Sequence, residues 1–100
     1  MVEVKPLFIE GKPFTAVSVQ LPKTNLLMVS NETGYIMCGA LDVNLLNEKL
    51  QGRKIIAGRA TGVRSIEDLL AAPLELVTVE AEKKGIFQGM TGKDALLKMA

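Results

Sequence analysis

The chain contains no histidine, no tryptophan and only one cysteine, Cys38. Without imidazole, neither a Ser-His-Asp nor a Cys-His relay can be assembled within it, and no zinc site with a histidine ligand can form. A lone thiol excludes an intramolecular disulfide and fits a reducing compartment. It also excludes a cysteine-only metal cage within one subunit. The acidic residues fall at no recognisable ligand spacing, so neither a metal nor a cofactor is expected.

Aromatic residues are scarce at 4%, and excess charge of either sign is missing: 12 basic and 11 acidic residues leave a net +1. That balance provides no general field for nucleic acid or an anionic membrane. Five cations, Lys49, Arg53, Lys54, Arg59 and Arg64, do share a window free of carboxylates. The same window lacks any aromatic ring on which a base could stack, which disfavours nucleic acid as a partner. Apolar runs stay far below the roughly 20 residues of a membrane span. The opening "MVEVKPLFIEG" carries acids where a secretory leader has a basic start and a long apolar core. A cytoplasmic protein with no membrane contact is therefore expected, and the "NET" at Asn31 reads as a turn.

What is present is a globular composition, 48% apolar over 100 residues, which supports a single domain over residues 1–100. The first third reads as strands. "VEVKPLFIEG" and "FTAVSVQL" flank a Gly-Lys-Pro turn, and Thr15, Val17, Val19 and Leu21 alternate with Ala16, Ser18 and Gln20 at the two-residue period of a half-buried strand. Pro6 cannot donate to a ladder, which favours an edge position or a bulge for the first strand. "PKTN" makes the next turn. "LLMVS" and "YIMCG" then form a hairpin around "NETG", with Gly34 assigned the positive-φ position.

Helical signals begin at Asp42, an N-cap with Leu41 and Leu46 as a hydrophobic staple. Val43, Leu46 and Leu50 repeat at helical spacing, and Gly52 is assigned the left-handed stop. "KIIAGRATGV" reads as a strand parallel to "YIMCG". Ser65 and Asp68 open a further helix that Pro73 ends. Over residues 74–84 the spacing of Leu74, Val77 and Ala81 predicts a helix closed by Gly85 and Ile86, although "VTV" argues for a strand. Thr91 caps a last helix with Ala95, Leu96 and Met99 on its apolar face. The sum is an α+β fold: a mixed sheet of about five strands with three to four helices packed on one face.

Two stretches could carry function. "GRATGVRS" runs from a strand into a helix start, and Arg59, Thr61, Gly62, Arg64 and Ser65 have the makings of a cradle for a small carboxylate or phosphate. The spacing matches neither a dinucleotide nor a Walker loop. Cys38 ends a strand shortly before a helix, a position where a thiolate can be stabilised. Asp42 would oppose that charge, and free cysteines are commonly packing residues. "GMTGKDALL" resembles a phosphate loop only superficially, because Asp94 stands where a hydroxyl is needed.

"GYIMCGALDV", "GRATGVRSIEDLLAAPL" and "KKGIFQGMTGKDALLKM" together resemble the YunC-like family of small prokaryotic proteins, over about residues 2–99. Tyr35, Cys38, Gly39, Gly62, Val63, Gly85, Gly89 and Met90 carry the likeness. The resemblance implies a compact two-layer α/β sandwich and no known reaction, substrate or cofactor. The expected role is thus a cytoplasmic, non-enzymatic domain that binds a small anionic ligand or a protein partner, as a homo-oligomer. The alternative is a thiol-dependent enzyme or redox sensor using Cys38.

Overall fold

The computed structural model describes residues 1–39, 43–48 and 51–100. Strands β1 (Val2–Ile9), β2 (Lys12–Leu21), β3 (Thr24–Ser30), β4 (Gly34–Met37), β5 (Ile56–Arg59) and β6 (Leu76–Val77) form one sheet in the spatial order β1-β2-β3-β4-β5-β6. All neighbours are antiparallel except β4 and β5, which run parallel. Helix α1 (Val43–Glu48) and a 3-10 turn, Gln51–Arg53, lie between those two strands in sequence. Helices α2 (Ile66–Ala71), α3 (Val79–Lys83) and α4 (Gly92–Met99) follow.

The hairpins come from local turn chemistry. Glu10 and Gly11 both take positive φ, 51° and 78°, as a type I′ turn requires, and β1 with its Pro6 is the sheet edge. At the β3–β4 turn the Asn31 Oδ1 accepts from the Thr33 and Gly34 amides at 2.9 and 3.1 Å. Gly34 does not take the positive φ assigned to it. Its missing side chain instead lets β4 approach β5, because a Cβ there would stand 2.3 Å from the Ile56 carbonyl oxygen. Gly52 likewise leaves the left-handed conformation to Lys54, φ 53°. Asp42, Leu41 and Leu50 lie outside the described residues.

The helix caps follow the sequence closely. Ser65 Oγ accepts from the Asp68 amide at 3.1 Å, and Thr91 Oγ1 from the Asp94 amide at 3.2 Å. After α3 the Ile86 amide donates to Ala81 and the Gly85 amide to Glu82, both at 3.0 Å, with Gly85 at φ 88°. This is a Schellman ending.

Two expectations need correction. The sheet has six strands, not five, because Leu76 and Val77 pair with Arg59 and Gly58 before the chain turns into α3 at Thr78. Residues 74–84 are therefore strand first and helix second. The helices also do not all share one face. The larger core joins Leu27, Val29 and Ile36 from the sheet to Leu69 of α2 and Leu96 and Met99 of α4. Val43 of α1 packs instead with Ala57, Tyr35, Ile55 and Leu76 in a second, smaller cluster. Tyr35 and Ile36 are successive residues of β4, so their side chains leave opposite faces of the sheet. Each large apolar side chain buried in these clusters contributes about 1.5–3 kcal/mol. No helix among the described residues is long and apolar enough to cross a membrane.

Candidate functional site

Because β4 and β5 run parallel, their carboxyl ends emerge at the same edge of the sheet. Cys38 follows β4, the loop from Ala60 to Arg64 follows β5, and the Ala60 amide donates to the Met37 carbonyl at 3.0 Å. The β2–β3 turn comes to the same edge through the antiparallel register. Between these segments lies a crevice of ≈ 340 Å³ lined by Thr24, Asn25, Cys38, Gly39, Gly62 and Val63. A second crevice of ≈ 590 Å³ shares Thr24, Asn25 and Val63 with it and adds Leu21, Lys23 and Arg64. Such a position, outside the carboxyl ends of parallel strands, is where open α/β sheets usually hold ligands.

Three of the five residues of the anticipated cradle meet a carboxylate, Arg59 and Thr61 at Glu75 and Arg64 at Asp68. The Arg59 guanidinium bonds to one oxygen of Glu75, and the Thr61 hydroxyl donates to the other at 2.8 Å. Both interactions, the Thr61 hydrogen bond first, hold the Glu75 carboxyl below its ordinary value. β6 makes this possible, since the Glu75 amide also donates to the Arg59 carbonyl at 2.7 Å. On the other side the Arg64 amide donates to Asp68 Oδ2 at 3.1 Å, and Ser65 is occupied by its capping bond to Asp68. Gly62, at φ 74°, is the exposed joint between the two sets. Arg64 is exposed and borders the crevice, whereas Arg59 is half-buried and turned to Glu75.

Cys38 is 7% exposed and is one of the residues that line the crevice. The Leu27 amide donates to Sγ at 3.4 Å, and the thiol donates to the Asn25 carbonyl at 3.9 Å. Two main-chain partners in a core position are what a packing cysteine makes. Thr91 and Asp94, at the superficial phosphate-loop motif, are engaged in the α4 cap. Among the described residues no three of Cys, Asp and Glu converge as metal ligands.

Lys23 and Glu75 were not legible as site residues. Lys23 sits in a hairpin turn at φ 64°, and only strand register brings it beside Arg64. Glu75 reaches Arg59 only because the segment after Pro73 adds a strand. The described lining of the two crevices holds two cations, a hydroxyl, a carboxamide and a thiol, and no carboxylate. Cationic side chains of this kind can pair with carboxylates and phosphates.

Fold and site together define a small α+β protein in which a crevice opens at the carboxyl ends of the parallel pair β4 and β5. Residues 37–99 match the family described as "Domain of unknown function (DUF1805)". Over 99 residues, 99% of this chain and 98% of the relative, the sequence is 66% identical to the uncharacterized protein YunC of Bacillus subtilis (strain 168). The chain belongs to this YunC-like family. The crystal structure of a protein of unknown function, TA1206 of Thermoplasma acidophilum, is similar in fold: TM-score 0.89 at 29% identity, covering 100% of this chain and 94% of that one.

Proposed function

We propose that the chain is a non-enzymatic binding domain that takes a small anion, a phosphate or carboxylate, in the crevice between the β2–β3 turn and the β5–α2 loop. The observation that carries this reading is charge of one sign: Lys23 and Arg64 border the crevice, and its described lining contains no acid. Arg64 and Lys23 then contact the ligand, with Thr24 and Asn25 as neutral partners. Arg59 and Thr61 hold the loop in shape through Glu75. Gly62 leaves room for close approach, and Ser65 fixes the start of α2. A reducing cytoplasm belongs to the same reading, supported by the single buried thiol. So does a layered architecture in which α2 and α4 cover one face of the sheet and α1 is an addition on the other.

The test is a thermal-shift titration with inorganic phosphate, pyrophosphate and citrate. A saturable rise in Tm is expected for at least one of them, since a ligand that binds only the native state stabilises it by mass action. Lys23→Ala and Arg64→Ala should each remove most of that rise while leaving the ligand-free Tm within a few degrees. If no anion shifts the wild type, or if both variants respond like it, the reading fails. The thiol alternative rests on Cys38 lining the same crevice and is separated by labelling. Rapid reaction of the native protein with a thiol reagent near neutral pH would favour it, and labelling only on unfolding would remove it.

A further inference from the structure

The apolar row of β2 that its alternation marks for burial is not the row that meets the helices. Phe14 and Ala16 enter the larger core, whereas Val17 and Val19 lie on the opposite face and are only half-buried. In register with them on β1 stand Val4 and Val2, 62% and 65% exposed, and further along the strand Phe8, 67% exposed. Every charged residue of β1 to β4, namely Glu3, Lys5 and Lys12, falls on the other side of the sheet. Among the described residues, α1 covers this face at its β4–β5 end, through the smaller cluster around Val43 and Ala57.

We propose that this uncharged face of β1–β3 is the interface of a symmetric homodimer, in which two copies stack their sheets face to face. Val2, Val4, Phe8 and Leu21, all between 46% and 67% exposed, stand with Val17 and Val19 on this one face, a contiguous apolar row of the kind that marks an interaction surface. The occupant is a second copy because the face has no charge with which to select a different protein. A two-fold axis presents the same uncharged apolar row to itself, so no unpaired charge is buried. Stacked sheets interdigitate alternate side chains across about 10 Å, and that would continue the small Val43 cluster into a full core. The anion crevice borders this face at Leu21 and Thr24, at the strand ends.

Sedimentation equilibrium of the full chain across micromolar concentrations tests this. The wild type should have twice the 10.8 kDa monomer mass. Phe8→Asp should be monomeric at the same concentrations with unchanged circular dichroism, and Lys5→Glu on the other face should remain dimeric. Val4→Thr, a milder change made twice per dimer, should weaken the dissociation constant at least about tenfold, which keeps the proposal testable if Phe8→Asp does not fold. A wild type that stays monomeric overturns the proposal, including one that instead floats with neutral lipid vesicles. So does a dimer that neither Phe8→Asp nor Val4→Thr weakens.

Discussion

The Asn31 side chain donates from Nδ2 to the Met99 carbonyl at 3.0 Å, tying the β3–β4 turn to the last turn of α4 across 68 positions of sequence. The same side chain accepts two turn amides, so one residue shapes a hairpin and satisfies a helix end that has no intrahelical donor. Asn31→Ala should cost about 1–3 kcal/mol, because it leaves partly buried groups unpaired. Asn31→Asp should not rescue it. The carboxylate keeps the acceptors but loses the donor and sets negative charge against the negative end of α4. Denaturant melts of the two variants check both statements.

Close backbone contact makes two glycines irreplaceable and a third negotiable. A Cβ at Gly34 would lie 2.3 Å from the Ile56 carbonyl oxygen, and one at Gly92 would lie 2.3 Å from that of Leu69. Backbone cannot yield without moving a strand or helix, so Gly34→Ala and Gly92→Ala should each destabilise by at least about 1–3 kcal/mol. At Gly58 the obstruction is Leu74 Cδ1 at 2.8 Å, the end of a side chain that can rotate. Gly58→Ala should therefore be the mildest of the three in Tm.

What the sequence disclosed was what is decided within one turn of chain. Ser65, Thr91 and the Gly85–Ile86 ending act over three to five residues, and each forms the bonds its spacing implies. Decisions involving distant segments were hidden. Leu74, Val77 and Ala81 have helical spacing, yet Val77 is in a strand and Ala81 in a helix, and both reach the larger core from different backbones. Alternation in β2 marks Val17 and Val19, yet it is Phe14 and Ala16 of the other row that enter the larger core, because the helices pack on that face. The site was half visible for the same reason: the loop carrying Arg59 and Arg64 is continuous, while Glu75 and Lys23 arrive through strand pairing.

Thr78 is the buried residue on which the β6–α3 junction turns, at 2% exposure. Its hydroxyl donates to the Ile55 carbonyl at 2.7 Å and accepts from the Ala57 and Ala81 amides, both at 3.2 Å. It thus caps α3 and closes the end of β5 with one oxygen. Thr78→Val keeps the shape and removes that oxygen, so about 1–3 kcal/mol is expected for each buried group left unpaired. Thr78→Ser should recover most of the loss, falling short by roughly the 0.8 kcal/mol of a buried methyl. A variant in which Val is as stable as Ser would show that packing, not hydrogen bonding, fixes the junction.

Glu75 gives the loop a pH dependence whose sign is determined. Thr61 and Arg59 favour its ionised form in the folded chain, so its folded value lies below that of the unfolded chain. Stability from this group is complete above the unfolded value of about 4.3 and is lost as pH falls through the folded one. Wild type should therefore exceed Glu75→Gln in Tm at neutral pH, with the gap closing below about pH 4.3. The gap should be small and should narrow in high salt, because the Glu75 side chain is 42% exposed and the pair is partly screened. Anion binding offers an independent readout. If Arg59 only supports the loop, Glu75→Gln should weaken phosphate binding modestly, whereas releasing Arg59 into the crevice as a new ligand contact would strengthen it.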